Sequence, residues 1–189
     1  MIENIENIWE REFGFVFPRS EGSKETFMRR YVSFATQKEL EKDIKMNKPL
    51  DCYVSVAFYK YPQNMEGWLR AELFFDFDYN ENTKLAYVDA LTTYEVLLSD
   101  FGLENISIRF SGSKGYHVIV HDFTPQILGT KERRAIVDYL IGKYKIETLD
   151  MAASCDVKRL RRIAGTKNSK SRKLCETVKR SRELWKRKK

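Results

Sequence analysis

The sequence predicts an α+β fold of mixed, largely antiparallel sheets flanked by helices. Three observations lead there. Strand and helix patterns follow one another without a strict βαβ repeat. The stretch "ISIRFSGSKGYHVIVHDF" (Ile106 to Phe123) reads as strand, glycine turn, strand. No internal repeat or Gly/Ser-rich linker divides the 189 residues, which carry four prolines, so one domain is expected.

Taken in order, residues 1–12 read as a short helix with Ile2, Ile5, Ile8 and Trp9 on one face. "FGFVF" (Phe13 to Phe17) and "RRYVSFAT" (Arg29 to Thr36) read as strands. "TQKELEKDIKM" continues as a helix capped by Thr36, with Glu39 in the capping-box position. "CYVSVAFYKYP" (Cys52 to Pro62) and "GWLRAELFFDFDYN" (Gly67 to Asn80) read as two long strands. Thr83 to Gly102 is a strong helix, with Leu85, Val88 and Leu91 at helical spacing and Gly102 as its stop. Another helix is expected from Thr130 to Tyr144. Cys155 to Ser171 reads as a short strand followed by a basic loop. "LCETVKRSRELWKRKK" reads as a basic helix, so the domain is drawn over 1–172, with 173–189 a basic C-terminal helix or tail.

Composition bounds the partners. The net charge of +7 is uneven: from Asp156 to Lys189, 15 Lys and Arg meet 3 acids, a local +12, which leaves −5 for the rest. Such a segment suits a polyanion, and a solubilising tail is the plain alternative. The N-terminus is acidic and amphipathic, unlike a secretory signal, and no stretch resembles a membrane span. Cys52, Cys155 and Cys175 are far apart, which argues against a disulfide framework or a zinc site and fits a reducing cytoplasm.

Three constellations carry chemistry. In "FFDFDYN", Asp76 and Asp78 share one face of a strand, with Phe75 and Phe77 on the other. Two adjacent carboxylates in a partly apolar site repel unless a cation lies between them, and Mg²⁺ or Mn²⁺ takes such oxygen ligands together with substrate phosphates. By itself the pair is equally a solvated strand end. In "FSGSKGYHVIV", glycines let backbone N–H groups approach an anion, Lys114 adds a cation and His117 a donor; an ordinary hairpin turn is the alternative. His121 and Asp122 read as structural. In "CDVKRLRRIAGTKNSK", Asp156 precedes Lys158, Arg159, Arg161, Arg162 and Lys170, a third acid beside cations that suit phosphates, or a solvated basic loop.

The order of two acids, glycine–His hairpin, then acid with basic run resembles the archaeo-eukaryotic primase superfamily, most closely the archaeal primase catalytic (small) subunit. "REFGF", "MRRYVSF", "VSVAFYKYP", "GWLRAELFFDFD", "SGSKGYHVIVHD", "ERRAIVDYL" and "DVKRLRRIAGT" carry the resemblance through most of the chain. It implies a primase-type catalytic core making primers from nucleoside triphosphates by two-metal phosphoryl transfer. Asp76, Asp78 and Asp156 would bind two Mg²⁺ or Mn²⁺ ions. Ser111, Lys114, Gly115, His117 and Lys170 would hold the nucleotide, which Glu12 and Arg30 would also reach. Lys158, Arg159, Arg161 and Arg162 would track a single-stranded DNA template, and a large primase subunit would be the partner. A repair or plasmid-type primase-polymerase, or an inactive primase-like nucleic-acid-binding module, are the alternative implications.

The sequence departs from the family pattern in places. No Cys or His lies between Asp78 and Ser111, where family members carry a zinc cluster, so no zinc is expected. "IAG" (Ile163 to Gly165) replaces Leu-Pro-Gly, Asn168 stands at an expected His, and Lys114 stands at a usual Arg.

Overall fold

A computed structural model describes residues 1–79 and 83–181. Strand β1 (Phe13–Pro18) lies between β2 (Thr26–Val32) and β3 (Asp51–Ser55), and β10 (Leu160–Arg162) completes a four-stranded sheet in the order β10-β3-β1-β2. A five-stranded sheet runs β11-β7-β8-β6-β9, from β6 (Leu73–Asp78), β7 (Ile106–Phe110), β8 (Gly115–Val120), β9 (Leu149–Asp150) and β11 (Glu176–Arg180). Every pairing in both sheets is antiparallel.

The helices follow their caps. Helix α1 (Gln37–Asn47) starts at Thr36, whose hydroxyl accepts the Glu39 N–H, while the Glu39 carboxylate accepts the Ala35 N–H at 2.9 Å. Helices α2 (Thr83–Ser99) and α3 (Thr130–Tyr144) pack on the five-stranded sheet through Ala86, Ala90, Leu97, Val137 and Leu140, all fully buried. Phe13, Phe15, Leu40, Val54 and Ile163 make a second core under the four-stranded sheet. None of the helices among the described residues is long and apolar enough to cross a membrane.

Both long strands break. The first leaves the four-stranded sheet at Val56 and continues as β4 (Ala57–Tyr61); the second runs as β5 (Glu66–Ala71) and enters the five-stranded sheet after Glu72. The breaks meet, because Glu72 N–H donates to Val56 O at 2.9 Å. Arg133 of α3, fully buried, donates to the carbonyls of Ala71 and Glu72 at 2.8 Å each and satisfies acceptors that a continuous ladder would have used. Binary pattern cannot show this, since both halves remain apolar across the break.

Two further expectations change. Over residues 1–12 the structure has a 3₁₀ turn, Ile8–Glu10, because the segment packs as a strap against the four-stranded sheet, with Glu3 N–H on Ala164 O. The C-terminal helix is replaced by strand β11 over Glu176–Arg180: pairing with β7 satisfies the backbone of a segment rich in exposed side chains. The part of that helix expectation that falls on residues 182–189 lies outside the described residues.

Candidate active site

The two sheets face each other across a cleft of about 280 Å³. Asp76, Asp78, Ser111, Gly115 and His117 line one wall, while Tyr53, Arg159, Arg161, Arg162 and Asn168 line the other. The first wall comes from two neighbouring strands in one register: Asp76 stands opposite His117 and Asp78 opposite Gly115. Directly paired residues project to the same face, so the acids and the glycine–His segment emerge together.

A third acid joins them. On the other side of β6, Asp150 of β9 stands opposite Asp76. Buried Asp89 of α2 holds this segment in place, its Oδ2 accepting the N–H groups of Glu147 and Thr148 at 2.9 and 2.8 Å. Thr148 O in turn accepts the Asp78 N–H at 3.1 Å. Asp150 Oδ1 also caps the short helix α4 (Met151–Cys155) by accepting the Ala153 N–H. Burial pushes the Asp76 carboxyl up to about 6; Arg159 opposes the shift, and the charges of Asp150 and Asp78 add to it.

The sequence reading had placed Asp156 in this third position. The structure puts Asp156 at the C-terminal end of α4, exposed, with Oδ1 accepting the Lys158 N–H at 2.8 Å, and it does not line the cleft. Asp150 carried one local signal, an acid closing the short extended pair "LD" ahead of a helix N-terminus. The basic run after Asp156 was the louder one.

The glycine hairpin between β7 and β8 is built for close approach. A Cβ on Gly115 would lie 2.4 Å from Phe77 O, so no side chain fits against β6 there. Ser111 closes the turn, its Oγ accepting the Gly115 N–H at 3.2 Å. Lys114 sits on the exposed turn outside the cleft lining. His117 is buried, with Nε2 3.5 Å from Asp76 Oδ1, and its Nδ1 meets no hydrogen-bond partner among the described residues. Burial, reinforced by the guanidiniums of Arg109 and Arg161, holds its pKa down to about 3, so the ring is neutral at physiological pH. His121 and Asp122 serve the β7–β8 pair: His121 meets Ser107 Oγ at 2.9 Å, and Asp122 accepts the Asn105 N–H at 2.8 Å.

The basic run does not act as one surface. Arg161 is 3% exposed and bonds Glu72 at 2.7 Å and Glu3 at 2.6 Å. Arg162 is held by Asp51 at 2.5 Å and the Tyr53 hydroxyl at 2.9 Å. Their alternation on β10 sends Arg161 into the junction between the sheets and Arg162 to the cleft side. Both line the cleft, yet each is buried and already paired with an acid, unlike the free cations that the sequence suggests. Lys158 and Arg159 are exposed, and Arg159 Nη2 lies 3.7 Å from Asp76 Oδ2. Lys170 is exposed beyond the cleft lining, its N–H donating to Asn168 Oδ1. Glu12 is fully buried and accepts from Arg30 at 2.6 and 2.9 Å and from the Tyr31 N–H at 3.3 Å, tying the start of β1 to β2 away from the cleft lining.

Behind the cleft, Arg11 and Arg161 share Glu72, and Arg109 and Arg161 share Glu3. Burial alone would raise the Glu72 carboxyl, but Arg11 and Arg161 outweigh it and hold it well below the usual range.

The donor set can be tested against a divalent ion. Among the described residues, no group of three or more His, Cys, Asp or Glu side chains is close enough to enclose a metal. Mg²⁺ and Mn²⁺ need no such cage, since one or two carboxylates suffice when substrate phosphates and water supply the rest. Paired Asp76 and Asp78, with Asp76 destabilised as an anion, fit that ion class.

The family described as DNA primase small subunit matches residues 75–188. The DNA primase small subunit PriS of Archaeoglobus fulgidus is 38% identical over 144 residues, covering 69% of this chain and 42% of that protein. The PriS of Thermococcus kodakarensis is 38% identical over 154 residues, covering 72% and 43%. The chain thus spans about two fifths of the length of these relatives. Among solved structures, the polymerase domain of Mycobacterium tuberculosis ligase D in complex with DNA superposes with a TM-score of 0.57 at 14% identity, over 83% of this chain and 69% of that one. Primase RepB′ gives 0.52 at 17% identity, over 90% and 51%. The structural likenesses show a shared fold, and the sequence matches show descent: this chain belongs to the DNA primase small subunit family.

Proposed function

We propose that the chain is the catalytic core of a template-directed nucleotidyltransferase that joins nucleoside triphosphates on single-stranded DNA, with Asp76, Asp78 and Asp150 as its acids. The observation that carries this reading is the register of β6, which sets Asp76 between His117 and Asp150 and puts Asp78 opposite Gly115. Two Mg²⁺ or Mn²⁺ ions held by these acids would lower the pKa of the attacking 3′-hydroxyl and neutralise charge on the departing pyrophosphate.

The protein's own groups do the positioning. Neutral His117 offers a ring N–H to a triphosphate oxygen without adding a charge that the acids would capture. Ser111 and the backbone of the glycine turn border the same space, where an anion can come close because Gly115 lacks a Cβ. Lys114 and Lys170 stand at the rim and would meet the outer phosphates. Lys158 is placed for the template backbone. Glu12 and Arg30 brace β1 on β2 and act on the nucleotide through that sheet. A large primase subunit is the proposed partner.

The test is an unprimed and a primed assay on single-stranded DNA, with labelled ribo- or deoxynucleotides and Mg²⁺ or Mn²⁺. Incorporation abolished by Asp76→Asn and retained by Asp156→Asn is the expected result. Incorporation that Asp76→Asn leaves intact would overturn it. A repair or plasmid-type primase-polymerase confined to primed templates is the second reading, and the two arms separate them.

A further inference from the structure

Three arginines within four positions, Arg159, Arg161 and Arg162, line the cleft, and they are held very differently. Arg161 is locked by Glu72 and Glu3, and Arg162 by Asp51 and Tyr53, through bonds of 2.5–2.9 Å. Both are buried. Arg159 is the exception. Its side chain is 43% exposed, and the carboxylate it faces is Asp76, at 3.7 Å, longer than a charge-assisted hydrogen bond. Its main chain is nevertheless fixed, since Arg159 O accepts the Val56 N–H at 2.8 Å and its N–H donates to Asp156 O at 3.3 Å. A rigid backbone therefore carries a loosely held cation at the mouth of the acid cluster.

That placement is a conflict if the acids exist to hold a divalent ion. A guanidinium and a metal compete for the charge of Asp76, and the metal carries twice the charge in a smaller radius. The arginine then needs another anion within reach of the same backbone position, and the glycine–His wall lies across the same cleft.

We propose that Arg159 is an exchangeable counter-ion: it neutralises Asp76 while the cleft is empty of metal, and transfers to the phosphates of the incoming nucleotide when a divalent ion takes its place. The inference rests on the metal-site reading above. It assigns Arg159 to the nucleotide side of the cleft, not to the template. An arginine suits the second half of the exchange, because its planar fork matches phosphate oxygens in a bidentate way that a lysine does not. The acid-side contact is long, at 3.7 Å, and exposed at its arginine end, so the exchange carries little penalty. Arg159 also shields the partly buried acids before substrate arrives.

The exchange predicts effects of opposite sign from one substitution. Calorimetry on the full chain would titrate Mn²⁺ alone, then a non-hydrolysable nucleoside triphosphate at saturating Mn²⁺, with wild type, Arg159→Gln and Arg159→Lys. For Arg159→Gln, Mn²⁺ alone should bind about two- to five-fold tighter, the worth of an exposed ion pair removed from competition. Nucleotide should bind about ten-fold weaker, the worth of a charge-assisted phosphate contact. Arg159→Lys should keep Mn²⁺ affinity near wild type and recover part of the nucleotide affinity. Mn²⁺ affinity that is unchanged or weaker in Arg159→Gln overturns the proposal, and so does unchanged nucleotide affinity. Wild type that binds no Mn²⁺ overturns the metal-site reading and this exchange with it; wild type that binds Mn²⁺ normally while Arg159→Gln gains nothing overturns the exchange alone.

Discussion

Two clusters of the same residue types lie back to back, and they are balanced oppositely. Behind the cleft, Glu3 and Glu72 meet Arg11, Arg109 and Arg161, so guanidiniums outnumber carboxylates. Around Asp76, the charges of Asp78 and Asp150 are opposed by the guanidinium of Arg159, so there carboxylates outnumber guanidiniums. The consequence is visible in the acids: Glu72, fully enclosed, stays strongly ionised, whereas Asp76 is pushed up to about 6. Burial penalises both. What differs is whether the protein supplies the cation. Where it does, the acid joins two sheets. Where it does not, the acid is left under-compensated, which is the place the proposed divalent ion would take.

The comparison breaks most sharply by neutralising each side. Asp76→Asn, Asp78→Asn or Asp150→Asn should lower nucleotide incorporation by about a thousand-fold or more, since a metal ligand supports several kcal/mol of transition-state stabilisation. The melting temperature of these variants should not fall. Rapid incorporation by Asp150→Asn, together with loss in Asp156→Asn, would return the third-acid role to Asp156. Glu72→Gln should do the reverse and damage the fold first. It leaves Arg11 and Arg161 buried without their shared carboxylate, which costs about 3–5 kcal/mol. Denaturant unfolding that shows no loss for Glu72→Gln would remove the distinction between the clusters.

Smaller effects sharpen it. His117→Ala should weaken nucleotide binding by about ten-fold, the worth of one hydrogen bond to a charged oxygen. Lys170→Ala, at the exposed rim, should have a lesser effect and depend more on salt. Equal loss in both, measured by titration at low and high salt, would count against the neutral-histidine role.

The pH profile separates the two ends of the Asp76–His117 contact. Without metal, Asp76 ionises near 3.8 in the unfolded chain and near 6 in the folded one, so its contribution to stability falls as pH rises through that window. His117 runs the other way: the unfolded chain takes its proton below 6.5 and the folded one only near 3, so stability is lost as pH falls from 6.5 toward 3. Asp76→Asn should therefore steepen the acid-side loss, and His117→Asn should flatten it, each by roughly 1–3 kcal/mol. Thermal melts from pH 4 to 7 that tilt the same way for both variants would contradict this.

Local pattern made much of the molecule legible. The glycine hairpin, α1 with its Thr36 cap, α2, α3 and the Asp76–Asp78 face are all properties of short stretches. What the sequence hid depends on distant partners. The breaks at Val56 and Glu72 are set by Arg133 and by each other. Arg161 and Arg162 look like free cations until Glu72, Glu3 and Asp51 are brought to them. Asp150 comes to stand beside Asp76 because a two-residue strand pairs with β6 and Asp89 fixes the preceding turn. The last segment reads as a basic helix, yet its Glu176–Arg180 stretch pairs with β7.

The central claim is that the acid cluster in the cleft lacks its cation in the isolated chain. Carboxyl-carbon NMR of Asp76, titrated with and without Mg²⁺, tests it most directly. A midpoint near 6 in metal-free protein, moving well below that with Mg²⁺, is the predicted result. A midpoint at the ordinary aspartate value, unmoved by Mg²⁺, would contradict it.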